Sequence, residues 1–115
     1  MSTLWNVEAE QVEGRTAVLR LVRTHPDAGP FRADATFALR VIHEALDDAP
    51  GPLADAVNED LVLTERWTAA NAGRFVAGVE VDEDGDVATY RLTVTDERWI
   101  AHLRPGAHWH SAAFS

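Results

Sequence analysis

The chain is 115 residues long, 46% hydrophobic and 25% charged, a length and balance that fit one folded domain with a modest core and exclude a disordered chain. Nineteen acidic residues against ten basic ones give a formal charge of −9, which repels phosphate backbones and anionic headgroups and so argues against nucleic acid and membranes as partners. The ten basic residues are all arginines and cysteine is absent, which excludes Schiff-base and PLP chemistry, a phosphate-loop lysine, thiolate nucleophiles, disulfides and cysteine-held metals.

The lysine-free composition, with nineteen alanines, three asparagines and two isoleucines, points to a GC-rich bacterial genome. Met1 to Gly14 alternates polar and apolar residues without the basic and apolar regions of a secretory signal. No apolar run approaches the roughly 18 residues a bilayer span needs. The expected location is cytoplasmic, and the expected organisation is a single α+β domain over residues 1–115.

In chain order, Trp5, Val7, Ala9, Ala17, Leu19 and Leu21 are apolar at odd positions, while Asn6, Glu8, Glu10 and Arg20 occupy even ones, which predicts two paired strands. For both odd sets to share a face, an odd loop is expected: Val12-Glu13-Gly14, with Trp5 opposite Leu21 and Val7 opposite Leu19. His25 to Pro30 reads as a connection because of its two prolines and glycine. Phe31, Ala35, Ala38, Leu39, Ile42 and Leu46 then recur at helical spacing, with Asp34 in the first turn and a stop over Asp47 to Pro52. Phe37 and Val41 widen the apolar stripe, predicting cover on more than one side.

Leu53 to Asp60 suggests a short helical turn, and Leu61 to Ala69 a strand followed by a turn at Asn71-Ala72-Gly73. Around Asp84-Gly85, read as a two-residue hairpin turn, the register sets Val81 opposite Ala88, Val79 opposite Tyr90, Ala77 opposite Leu92 and Phe75 opposite Val94, with Glu80 and Arg91 on the other face. Asp96 is placed to cap a short helix carrying Trp99, Ile100 and Leu103, which Pro105-Gly106 ends. The expected fold is therefore an antiparallel sheet of about five strands in β-β-α-β-β-β order, with one main helix packed on it and a short C-terminal helix.

Asp82 to Asp86 alternates carboxylates like a calcium loop, but its glycine and twelfth residue, Thr93, are wrong for an EF-hand, so a solvated hairpin tip is the expectation. His108 and His110 flank Trp109 and share a face if extended, with His102 as a third imidazole; no ligand signature accompanies them, and no metal or cofactor is expected. His43 with Asp47 one turn on, beside Glu44, has the spacing of an imidazole held by a carboxylate, a pattern ordinary helix surfaces also show. Ser2, Ser111 and Ser115 lack a nucleophile elbow. Glu65, on the apolar parity beside Trp67, is the carboxylate whose burial would raise its pKa.

Four tryptophans are many for this length. Trp5, Glu65, Trp67, Tyr90 and Trp109 form the candidate binding set. Trp109 and Phe114 are expected to dock on the sheet or on a twin subunit, making a homodimer. Charge and missing nucleophiles favour a non-enzymatic protein-binding domain acting through an acidic surface on a basic partner, in the manner of an immunity protein, inhibitor or adaptor. The alternative is a small enzyme or ligand carrier with a Trp-lined pocket between helix and sheet, using a histidine or Glu65 for proton transfer.

Overall fold

The computed structural model describes residues 4–45, 52–57 and 65–113. Five antiparallel strands form one sheet: β1 (Trp5–Glu13), β2 (Thr16–Arg23), β3 (Val76–Asp84), β4 (Val87–Val94) and β5 (His108–Ser111), in the order β3-β4-β2-β1-β5. The main helix α1 (Ala35–Ala45) is joined by shorter α2 (Pro52–Ala56) and α3 (Glu65–Asn71), and 3-10 turns span Ala72–Arg74 and Glu97–Ile100. The architecture is the expected α+β one, with a main helix on a five-stranded antiparallel sheet and a short helical turn near the C-terminus.

The first hairpin buries all the odd residues assigned to its inner face, Trp5, Val7, Ala9, Ala17, Leu19 and Leu21. It reaches that arrangement by a different route. Glu13 pairs with Thr16, so the turn is Gly14-Arg15 rather than Val12-Glu13-Gly14, and Gly14 takes a φ of 58° that a side-chain-bearing residue resists. A bulge between Ala9 and Gln11 then inserts one residue into β1 and restores the parity. Trp5 consequently faces Arg23, and Val7 faces Leu21, displacing the expected pairs Trp5–Leu21 and Val7–Leu19.

The second hairpin shows the same correction. Asp84 pairs with Val87, leaving Gly85-Asp86 as the turn with Gly85 at φ 62°, instead of Asp84-Gly85. Val81 therefore faces Tyr90 and Val79 faces Leu92, two residues away from the expected partners. A second bulge between Val76 and Gly78 turns Ala77 out to solvent, and Phe75 precedes the strand, although Val76, not Phe75, faces Val94.

Helix α1 begins where Asp34 Oδ1 accepts the Phe37 amide at 2.8 Å, an N-cap that satisfies a donor the helix itself cannot. Phe31, assigned to the helix from its spacing, lies before this cap but is still buried. Phe37, Ala38, Leu39, Val41 and Ile42 are buried, and α1 touches α3 as well as the two edge strands β3 and β5. It thus crosses the sheet and is covered on more than one side.

Glu65 to Ala69 is helical, not the strand that alternation suggested, while residues 61–64 of that expected strand lie outside the described residues. Thr68, Ala72 and Phe75 are buried at spacings of one helical turn, with Arg66, Ala69 and Gly73 exposed, which is the helical period. The fifth strand comes instead from the tail: Trp5 pairs with Ser111 and Val7 with Trp109. Asp96 caps the 3-10 turn as expected, accepting the Arg98 amide at 2.9 Å.

Candidate functional site

Two of the aromatic residues proposed for a pocket, Trp5 and Tyr90, pack into one cluster with Phe31 and Phe37. Trp5 is completely buried; its ring centroid is 5.1 Å from Phe31 and 5.6 Å from Phe37, and Phe37 is 5.8 Å from Tyr90. Trp5 Nε1 donates to Ala113 O at 3.1 Å, so the tail closes over its edge. Tyr90 is buried and its hydroxyl makes no hydrogen bond among the described residues. Burial and the charge of Glu83 push its pKa well above that of a free phenol, and the Arg32 backbone offsets only part of this.

Arg23 is the residue that sequence reading missed. It continues the odd, inward series of Leu19 and Leu21, the one signal that marks it. Its guanidinium stacks 4.7 Å from Phe31, pairs with Asp86 at 2.7 Å and donates to Gly29 O at 3.1 Å, while Nε is buried without a partner among the described residues. These contacts bind the Thr24–Pro30 connection onto the aromatic cluster and leave little there for a ligand.

The other candidates are dispersed. Trp67 lies half-buried on α3, and Glu65 is that helix's first residue. Trp109 is half-buried on β5, where Nε1 donates to Val41 O at 3.0 Å, so it docks on its own chain's helix; Phe114 lies outside the described residues. Glu44 couples the same two elements: it holds Arg40 Nε at 3.0 Å and accepts Ser111 Oγ at 3.3 Å and the Ala112 amide at 3.0 Å. Ser111 is fully buried in this linkage. Asp47, the expected partner of His43, lies outside the described residues.

His108 and His110 do share a face, the outer one, opposite the described helices. His108 Nε2 sits 3.2 Å from Glu8 and His110 Nδ1 lies 2.6 Å from Asn6 Oδ1. No three metal-ligating groups converge among the described residues. An open groove of about 350 Å³ runs between the Gly14 turn and the Glu97–Pro105 segment, floored by Val12, Ile100 and Leu103 and rimmed by Arg98 and Arg104.

The outer face itself is the most extensive feature. Strand pairing sets Asp82, Thr89, Arg20, Glu8 and His108 in one row across all five strands, and Glu80 beside Arg91 in the next. Asn6, Glu10, Arg20, Thr89, Arg91, Glu80, Asp82, His108 and His110 are all exposed there. At its β3 end Glu80, Asp82 and Asp84 are exposed and, among the described residues, unpaired. No helix among the described residues is long and apolar enough to cross a membrane. No family model, curated protein or solved structure matches the chain.

Proposed function

We propose that the chain is a non-enzymatic protein-binding domain, of the immunity-protein, inhibitor or adaptor kind, acting in the bacterial cytoplasm on a basic partner. One observation carries the reading: the described helices occupy one side of the sheet, and the opposite side presents exposed polar side chains on every strand, carboxylates and arginines on β1 to β4 and imidazoles on β5, ending in the acidic β3. The overall charge of −9 supports a basic partner and disfavours nucleic acid and anionic membranes. Trp5 and Tyr90, which an enzyme or carrier would line a pocket with, pack with Phe31 and Phe37 into one aromatic cluster, which favours the binder. Trp109 donates to Val41 O within its own chain, so its docking does not call for a twin subunit.

The test is affinity capture from an extract of the host. The wild-type chain is expected to retain a basic protein that elevated salt releases, and the triple variant Glu80→Arg, Asp82→Arg, Asp84→Arg is expected to lose it. Identical retention by both chains would show that the acidic face recognises nothing.

A further inference from the structure

β3 is an edge strand, and its pairing with β4 determines which of its backbone groups remain open. The turn places Asp84 and Val87 as the hydrogen-bonded pair next to the loop, so Asp82 and Glu80 also point their backbone groups at β4. Val79, Val81 and Glu83 point theirs away from the sheet, and no described strand takes them up. The side chains divide along the same alternation. Val79 and Val81 lie half-buried on the helix face, packed against the core, whereas Glu80, Asp82 and Asp84 stand exposed on the outer face.

From this we infer that β3 accepts an extended segment of a basic partner as a sixth strand, one in which cationic and apolar residues alternate. The inference deepens the protein-binding reading and rests on it. Main-chain bonds to Val79, Val81 and Glu83 supply the docking, cationic side chains meet Glu80, Asp82 and Asp84, and the alternate apolar ones extend the layer of Val79 and Val81. Asp82 and Asp84 face Thr89 and Val87 across β4, so no cation of the chain stands directly opposite them. The same carboxylates exclude the obvious competitor: two copies meeting edge to edge would bring like charges together. Charge therefore selects a basic strand over a second copy.

The probe is a fluorescein-labelled octapeptide of alternating arginine and valine, titrated against the full chain by anisotropy. Saturable binding is expected, weaker by about tenfold or more for the isomer with its arginines and valines in separate blocks, because the loss of registered backbone bonds costs that much. Val81→Pro removes an outward N–H without touching the β4 ladder and should weaken binding similarly while the melting temperature holds. Should Val81→Pro fail to fold, an alternating peptide N-methylated on its edge-facing amides tests the same bonds with the wild-type chain. Equal affinity for the alternating and blocked peptides, or for the N-methylated one, overturns strand addition. A host partner that binds Val81→Pro undiminished also overturns it and leaves the protein-binding reading intact; registered peptide binding with no partner captured from the host does the reverse.

Discussion

The two hairpins are built alike and placed differently. Each has a two-residue turn opened by a positive-φ glycine, Gly14 or Gly85, and each carries a bulge in its first strand. The β1–β2 hairpin has neighbours on both sides, β5 and β4, and its inner residues are wholly buried. In the β3–β4 hairpin only β4 is so enclosed, and β3 keeps Val79 and Val81 half-buried beside exposed acids. Similar local chemistry thus serves stability in one case and access in the other, and position in the sheet decides which.

Substitutions in the two hairpins should expose that contrast. Trp5→Ala, which removes the ring under β1, is expected to cost about 3–5 kcal/mol in denaturant unfolding, against less than about 1 kcal/mol for Val81→Ala. Comparable losses at the two sites would mean that the β3 edge is as much a part of the core as β1. The turns should not differ: Gly14→Val and Gly85→Val each place a β-branched residue at positive φ in open space, for about 1–2 kcal/mol apiece. A much cheaper substitution at one turn would show that its backbone can relax.

Much of the fold was legible because the inward residues alternate cleanly. Parity identified the buried face of both hairpins except at Ala77, and the Asp96 cap followed from ordinary helix-start chemistry, whereas Asp34, expected inside the first turn, stands just before the helix and caps it. Register was another matter. A bulge adds a residue without changing composition, so the parity rule was satisfied by Glu10 in the strand rather than by an odd loop, and the glycine opened each turn instead of closing it. The segment Glu65–Ala69 was misread because a few alternating residues fit a strand as well as a helix, and only the burial of Thr68, Ala72 and Phe75 distinguishes the periods. The candidate aromatic set described where rings are, but whether rings enclose space or one another depends on packing that no pattern encodes. Arg23 was hidden for a related reason, since its inward parity conflicts with its charge until Phe31 and Asp86 are seen around it.

Smaller effects sharpen the comparison where α1 meets the sheet. Burial alone would raise the Asp34 carboxyl, yet hydrogen bonds from Arg32 and the Phe37 amide, with the Arg32 charge, hold it below the usual 3.8. A carboxyl held low adds stability that is present above pH 3.8 and is lost as the pH falls through its folded value. Asp34→Ala should therefore cost about 1 kcal/mol at neutral pH, and its midpoint should converge on the wild-type one in acid. A gap that persists there would assign the effect to something other than the charge.

Tyr90→Phe should have the smallest effect at neutral pH, with stability unchanged or raised by up to about 1 kcal/mol, because the hydroxyl lost is buried without a partner among the described residues. Its raised pKa stabilises the fold below pH 10.0, and that contribution fades as the pH climbs further, so the variant should resist alkaline unfolding better. A clear loss of stability at neutral pH would reveal a partner for the phenol.

The pairing of β1 with β5 bears on how the chain is made. Trp5 and the carbonyl of Ala113 that covers its indole are 108 positions apart, and Leu4 donates its amide to Ser111 O. A ribosome therefore finishes the first strand long before its outer neighbour exists, and the emerging chain carries an uncovered tryptophan until residues 108–113 clear the exit tunnel. The same closeness puts Leu4 and Ser111 within bonding distance, so a short peptide joining the two ends, with the chain reopened at the exposed Gly85 turn, would yield a permuted protein in which Trp5 is covered early.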